Sequence, residues 1–420
     1  MTQVYMVGIG GIGMSALAQL LSDQGNQVAG SDREESPTTE LLASKGIQVT
    51  IGQKPENVPA NTELLIYTEA AWDDNPERIR GKELGIPERS YFEALGDVSE
   101  GKRTIAVAGT HGKTTTTSML ARMLRDAGAA PSAVVGSIVK DFGSNYLSGT
   151  SDWLIVEACE YKRDFLTLSP EILVVTNIEY DHTDYYKDLA DVQSAFRTLM
   201  EKSKMIVTDA MHPNIAPLLA GLSAPIIDYV KEPYYETKLP GEFNLMNARA
   251  AAAAAKAAMP EIAEATLRES LAAFEGTWRR FEFKGTTKKG ADVYDDYAHH
   301  PTAVRKTLTE LRKRAKGKIY VAFHPHLYSR TKDLITDFST AFSDADRVII
   351  APIYAAREVS DGSITSALLA ERIEKNGTDA KAGDFVEIRH YLETEPTKGD
   401  IIMTMGAGDI YKVADQLVAH

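Results

Sequence analysis

The sequence predicts an α/β protein of three domains, and three observations carry that reading. Short apolar runs alternate with helical patterns along the chain, the order of βα units. Glycine-rich turns follow strand-like runs at Gly8–Gly13, Gly109–Gly112 and Gly406–Gly408. Two polar stretches, Gly96–Arg103 and the basic Lys284–Gly290, interrupt the alternation and read as linkers. Residues 1–99, 100–285 and 286–420 are therefore the expected domains, and a chain of 420 residues gives each its own core.

The first domain opens with a buried strand, Val4–Ile9, and Gly8-Ile9-Gly10-Gly11-Ile12-Gly13 fits G-x-G-x-x-G. Met14, Leu17, Leu20 and Leu21 recur at helical spacing up to Gly25. A second strand, Gln27–Ser31, ends at Asp32, close to the roughly 20-residue offset of a dinucleotide fingerprint. Glycines let backbone approach any diphosphate, so the motif announces a nucleotide diphosphate without choosing nicotinamide. Leu41–Gly46, Gln48–Ile51 and Leu64–Tyr67 continue the alternation. Thr68 then stands at a strand end, where open α/β sheets place ligands.

The second domain begins with an apolar run, Thr104–Ala108, leading into Gly109-Thr110-His111-Gly112-Lys113-Thr114-Thr115 and a helical pattern at Met119, Leu120, Met123 and Leu124. Strand, phosphate loop and helix in that order converge backbone N–H groups on an anion. Lys113 would reach the β- and γ-phosphates and Thr114 a Mg²⁺ ion, so ATP is the expected nucleotide. Val107 stands where the full loop pattern asks for glycine. Two further strands end in chemistry: Trp153–Val156 in Glu157-Ala158-Cys159-Glu160, and Ile172–Thr176 in Asn177-Ile178-Glu179-Tyr180-Asp181-His182. Acidic groups there suit Mg²⁺ opposite Thr114. Ala250–Ala255 reads as a packing helix. Ahead of it, Asn244 and Asn247 share a helix face at i, i+3, fit either for a nucleobase edge or, at Asn244, for capping.

The last domain carries Asp295-Asp296-Tyr297-Ala298-His299-His300-Pro301 after strand Ala291–Tyr294, then helix Thr302–Arg314. Strand Lys318–Phe323 runs into His324-Pro325-His326-Leu327-Tyr328-Ser329-Arg330. Val348–Ile353 and Ile401–Met405 are further strands. Five of the nine histidines (His182, His299, His300, His324, His326) fall at strand ends. A metal centre from the last four is conceivable, but the adjacent prolines and Arg330 suit a polar substrate pocket better.

Bulk properties narrow the classes. A net charge of −13 argues against duplex nucleic acid or an anionic membrane as partner. One cysteine, Cys159, allows no internal disulfide and fits a reducing compartment. No apolar run approaches about 18 residues and no leader precedes the first strand, so a cytoplasmic protein is expected.

Taken together, these motifs resemble the Mur ligase family, in its alanine-adding branch. The resemblance spans essentially the whole chain and rests on GIGGIGMS at Gly8–Ser15, GTHGKTT at Gly109–Thr115, Glu157 in VEACE, NIEYDH at Asn177–His182, DDYAHHPT at Asp295–Thr302 and HPHLYSRT at His324–Thr331. It implies an N-terminal Rossmann-like domain, a central P-loop ATPase-like parallel sheet and a C-terminal Rossmann-like domain that closes over the site. It further implies ATP-dependent amide formation between UDP-N-acetylmuramate and L-alanine, with two Mg²⁺ ions, in a monomer or homodimer. Gly8, Gly10, Gly11, Gly13, Met14, Ser15, Asp32 and Thr68 would then face the UDP-sugar. Gly109, Thr110, His111, Gly112, Lys113, Thr114 and Thr115 would cradle ATP with Asn244, Asn247, Asp296 and His299. Thr114, Glu157 and His182 would hold the metals, and His326 and Arg330 the substrate carboxylates. Three residues depart from the family pattern: Phe243 in place of the usual His, Cys159 in place of Asp, and Leu327 in place of a basic residue. A murein-tripeptide recycling ligase shares most of these motifs. A nicotinamide-dependent oxidoreductase on Gly8–Asp32 leaves the phosphate loop without a purpose.

Overall fold

Strand β1 (Gln3–Val7) stops two residues short of the predicted run, because Gly8 turns the chain with φ +78°. It is the centre of the first sheet, with β2 (Gln27–Asp32), β3 (Gln48–Ile51), β4 (Leu64–Tyr67) and β5 (Glu88–Ser90) in the order β3-β2-β1-β4-β5. All four pairings are parallel. Strand order reverses beside β1, so its C-terminal end is a switch point, and the glycine loop sits there. Beneath it Glu77, fully buried at the start of helix Pro76–Glu83, accepts from Tyr5 Oη (3.1 Å), Asn57 Nδ2 (2.7 Å) and Ser31 Oγ.

The second sheet runs β6 (Arg103–Ala108), β7 (Ser132–Val139), β8 (Ser144–Leu147), β9 (Trp153–Glu157), β10 (Ile172–Val175), β11 (Met205–Thr208) and β12 (Ile226–Asp228). The spatial order is β12-β11-β10-β6-β9-β7-β8. All pairs are parallel except the β7–β8 hairpin. Central β6 is buried from Thr104 on and lies between β9 and β10, whose ends carry the acidic motifs. The hairpin reaches back to the first sheet's glycine loop: Asn145 Nδ2 donates to Ser15 Oγ (2.8 Å) and Ile12 O, and its Oδ1 accepts from Gln19 Nε2 (3.0 Å).

The third sheet has β13 (Glu282–Thr286), β14 (Asp292–Asp296), β15 (Ile319–His324), β16 (Arg347–Ile350), β17 (Asp379–Ala382) and β18 (Ile401–Gly406) in the order β13-β14-β18-β15-β16-β17. Only β13 is antiparallel. Adjacent β14, β18 and β15 therefore end at one edge, which gathers Tyr297–His300, Gly406–Asp409 and His324–Arg330. The structure describes residues 1–418, and they divide into two compact units. The first contains both N-terminal sheets. The second comprises Trp278 onward with two shorter segments, Tyr180–Asp188 and Leu239–Asn244.

Both predicted linkers need correction. The first half of Gly96–Arg103 is helix: Tyr91–Ser99 is opened by a Ser90/Glu93 capping box, and Gly96 is buried because it packs on Thr167. Only Glu100–Lys102 connects the first two sheets. The basic stretch around Lys284 is edge strand β13, so the expected boundary at 285/286 falls inside a strand. A register shift between Phe283 and Gly285 breaks the period-two pattern and hid it.

His324 closes β15 in a dry corner, its ring between Phe385 (5.2 Å) and Tyr354 (5.7 Å) and its Nδ1 buried without a hydrogen-bond partner. Burial is the main cause that lowers its pKa to about 4. Above pH about 6.5 both folded and unfolded states keep this imidazole neutral; below it only the unfolded chain takes the proton. Its contribution to stability is thus present above that pH and is lost as pH falls towards 4. Chemical denaturation at pH 7.5 and pH 5 should show His324→Gln flattening this acid destabilisation by roughly 2 kcal/mol at most. An unchanged slope would contradict the assignment.

Candidate functional site: a phosphate loop and an imidazole–guanidinium cluster

The phosphate loop lies between β6 and helix Lys113–Asp126, whose N-cap Gly112 has φ +82°. A Cβ at Gly109 (φ +137°) would collide with Thr176 Oγ1, and one at Gly112 with Asn247 Oδ1. The loop is pinned to the end of β10 by backbone mimicry: His111 N–H donates to Asn177 Oδ1 (2.9 Å) while Asn177 Nδ2 donates to His111 O (3.0 Å). Thr110 Oγ1 accepts from Glu179 N–H at 2.8 Å. Lys113 folds back over the loop, its Nζ donating to Gly109 O and to the Glu160 carboxylate at 2.9 Å. Burial opposes the lysine charge, but Glu160, Cys159 and Glu157 outweigh it and raise the pKa.

Thr114 Oγ1 donates to Glu157 Oε1 at 2.8 Å, and Gly136 N–H donates to Glu157 Oε2 at 2.7 Å. A side chain on Gly136 would occupy the carboxylate's place. Two hard oxygen donors thus meet at the phosphate loop, one of them held by a backbone amide, which is a fitting set for Mg²⁺. Burial, and then Glu160, push the Cys159 thiol up to about 12.

In the glycine loop of the first sheet, Asp32 Oδ2 accepts from Gly10 N–H at 2.8 Å, so this carboxylate shapes the turn itself. Thr68 packs on Gly8, Tyr91 fills the space over Gly13, and Met14 and Ser15 are buried in the helix Ile12–Asp23. Gly11 N–H closes the turn on Gly8 O (3.1 Å).

In the second unit Asp181 is the hub. Its Oδ1 accepts from Arg330 Nε and from His182 N–H, both at 2.7 Å. Burial alone would raise this carboxyl, yet Arg330 and the neighbouring imidazoles hold it well below the usual range. His182 adopts φ +54°, a left-handed conformation uncommon outside glycine. Arg330 also donates to His326 Nδ1 (2.9 Å) and His326 O (3.3 Å). A guanidinium cannot accept, so His326 carries its proton on Nε2. Burial, then Arg330, lowers the His326 pKa to about 3, leaving a neutral N–H donor. His299 Nδ1 lies 2.9 Å from Tyr297 O, which leaves Nε2 as an acceptor, and its ring is 5.9 Å from that of His326.

The four-histidine metal centre is not built. Among the described residues His299, His300, His324 and His326 do not converge on one point. His300 caps helix Pro301–Arg312 and contacts Tyr180 O (3.2 Å), and His324 has its ring between Phe385 and Tyr354. Asp296, expected to face nucleotide, spends its carboxylate on Phe281 N–H (2.6 Å) and Ala298 N–H (2.7 Å). Burial raises its pKa to about 6. Asn244 Nδ2 donates to Pro240 O (2.6 Å), whereas Asn247 lies against Gly112, so the two carboxamides have different surroundings. Phe243 packs against the third sheet's core, an apolar role that a histidine would not fill. Sequence reading quoted Glu160, Asn177 and Asp181 in their strand-end motifs without giving any of them its own role, and gave none to Arg279. Arg279 forms a buried pair with Asp295 (2.8 Å) and donates to Gly408 O (2.9 Å) and Gly406 O, which fixes the last glycine turn.

Comparison with known proteins agrees with this layout. Three Mur ligase family models match in order: the catalytic domain over residues 3–103, the middle domain over 107–233 and the glutamate ligase domain over 279–408. The chain is similar to the UDP-N-acetylmuramate–L-alanine ligase of Clostridium kluyveri, at 37% identity over 98% of this chain and 97% of that protein. A Clostridium botulinum protein of the same name is 39% identical over 99% and 97%. Among solved structures, the UDP-N-acetylmuramate-alanine ligase of Thermotoga maritima superposes with a TM-score of 0.83 at 27% identity, covering 100% of this chain and 98% of that one. A murein peptide ligase of Psychrobacter arcticus shares the fold, with a TM-score of 0.74 at 22% identity and full coverage of both chains. Family models over all three sheets and end-to-end identity above a third show that this chain belongs to the Mur ligase family.

Proposed function

We propose that this protein is an ATP-dependent ligase that joins L-alanine to the lactyl carboxylate of UDP-N-acetylmuramate in peptidoglycan precursor synthesis. The observation that carries the reading is one chain holding both a phosphate loop, with Lys113 and the Thr114–Glu157 pair, and a His326–Arg330 cluster suited to carboxylates. Amide formation needs exactly such a combination, since a carboxylate is inert to amines until its oxygen is made a leaving group. The murein-peptide ligase is the nearest rival, but the two relatives described above, at 37% and 39% identity, carry the alanine ligase name.

The lactyl carboxylate oxygen attacks the γ-phosphorus and ADP departs, giving an acyl phosphate. The neutral amine of alanine then attacks the acyl carbon, and phosphate leaves with the former carboxylate oxygen. Lys113 moves its charge from Glu160 to the transferring phosphoryl group, and the loop N–H groups orient it. Mg²⁺ held by Thr114 and Glu157 would neutralise phosphate charge, and His182 is the proposed ligand of a second ion. The neutral His326 donates Nε2–H to a substrate carboxylate. The Gly8–Gly13 turn with Met14, Ser15, Asp32 and Thr68 receives the UDP-sugar. No helix among the described residues is long and apolar enough to cross a membrane, which accords with work on nucleotide precursors in the cytoplasm.

An ADP-release assay with UDP-N-acetylmuramate and a panel of amines tests the assignment: L-alanine should be the preferred acceptor, and preference for a tripeptide would replace it with the recycling reaction. With ¹⁸O in the lactyl carboxylate, one label should appear in released phosphate; full retention in product would refute the acyl phosphate. Lys113→Ala should lower kcat by about a hundredfold or more, while calorimetric affinity for UDP-N-acetylmuramate stays within about twofold, because that site is built on a different sheet.

A further inference from the structure

Helix Ile12–Asp23 of the first sheet lies against the β7–β8 hairpin of the second, and the contact is polar at its centre. Four buried side chains, Ser15, Gln19, Ser144 and Asn145, form one network there. Asn145 spends both amide hydrogens on the start of the helix, one on Ile12 O and one on Ser15 Oγ (2.8 Å). Its Oδ1 accepts from Gln19 Nε2 (3.0 Å). Gln19 Nε2 also donates to Ser15 O (3.0 Å), and its Oε1 accepts from Ser144 Oγ (3.0 Å). The Asn145 amide has one workable orientation, because flipping it would set its oxygen against the Ile12 carbonyl. A fully satisfied buried network of this kind rigidifies what it joins.

Ile12 O belongs to the Ile12–Gly13 peptide, which is planar and trans, so its C=O and the Gly13 N–H point in opposite directions. Fixing the oxygen therefore aims the hydrogen. Gly13 is the second residue of the helix, where an N–H has no intrahelical acceptor, and N-cap Gly11 brings no side chain to cap it. The preceding amides build the turn itself: Gly8 and Ile9 N–H donate to Ser31 O, Gly10 N–H to Asp32 and Gly11 N–H to Gly8 O. On its other strand the same hairpin supplies Gly136 N–H to Glu157 (2.7 Å). One hairpin thus holds both the glycine loop and the carboxylate paired with Thr114.

We propose that Asn145 is a positioning residue for UDP-sugar binding: by holding Ile12 O it keeps the Gly13 N–H aimed at the substrate diphosphate, in fixed register with the phosphate loop. A carboxylate that must reach a γ-phosphate needs such a register, since small misplacements of reacting groups cost rate steeply. The proposal rests on the reading of Gly8–Gly13 as the UDP-sugar site. Wild-type affinity for UDP tests that reading by itself, and the variants test Asn145.

The experiment is NMR-monitored titration with UDP and with uridine, which lacks the diphosphate. Wild-type protein should bind UDP the more tightly, and equal affinity would refute the loop reading. Asn145→Ala should weaken UDP about tenfold and leave uridine within about twofold. In the ADP-release assay it should raise the KM for UDP-N-acetylmuramate and leave that for ATP within about twofold. Ser144→Ala, which removes a bond of the same network away from Ile12, should keep UDP affinity within about twofold. Should Asn145→Ala not fold, Asn145→Asp keeps the shape and the Gln19 contact, loses the donor and carries the same expectation. In the wild type the Gly13 amide resonance should shift with UDP and stay in place with uridine. Unchanged UDP affinity on replacing Asn145, an equal loss for uridine or in Ser144→Ala, or a Gly13 amide indifferent to UDP would overturn the proposal.

Discussion

The close passage of Gly109 against the end of β10 is the constraint on which the nucleotide site depends. No side chain fits there, and the loop is instead clamped through Thr176 and Asn177, which bond the His111 backbone as a neighbouring strand would. Clamping one side of the loop sets where the helix Lys113–Asp126 begins. Thr114, the second residue of that helix, then falls opposite Glu157. A phosphate loop with Val107 in place of a glycine therefore loses little, because Val107 is a fully buried β6 residue and the tight turn lies beyond it.

The same site shows how charge is kept ready in a dry place. Lys113 and Glu160 form a buried pair, and a lone ammonium in that position would be costly. Glu160 keeps Lys113 charged and folded over the loop, so under the proposed role a phosphate would exchange one anion for another instead of creating a new buried charge. In the second unit the arrangement is mirrored. Asp181 balances Arg330, Asp184 balances Arg357, and both acids sit on the short segment Tyr180–Asp188 that carries His182. One carboxylate oxygen of Asp181 serves both the His182 backbone and Arg330, so the geometry of the proposed metal ligand and that of the His326–Arg330 cluster share an atom.

Histidine protonation follows the same economy of burial. His324 and His326 both stay neutral well below ordinary imidazole values, but for different uses. His324 is wedged between aromatic rings, whereas the tautomer of His326 is set by Arg330. Two residues apart in sequence, they look alike in the motif and differ only in their neighbours.

Local sequence settled what depends on local geometry. The glycine turns after β1, β6 and β18, the helix that follows the phosphate loop, the parallel βα rhythm and the placing of Glu157 and His326 at strand ends could all be read from spacing, because a turn's φ angles and a strand's register constrain adjacent residues. The tertiary structure alone decided which polar groups became partners. Arg330 meets Asp181 across 149 residues and Arg357 meets Asp184 across 173, and no periodicity records such pairings. It also decided that β13 is a strand despite its bulge, that Gly96 belongs to a packed helix, that Asp296 is spent on backbone amides, and that the four histidines are not one metal site. Each of those outcomes turns on desolvation: a buried polar group must find a partner wherever the fold brings one, and the chain's order in sequence does not say where that is.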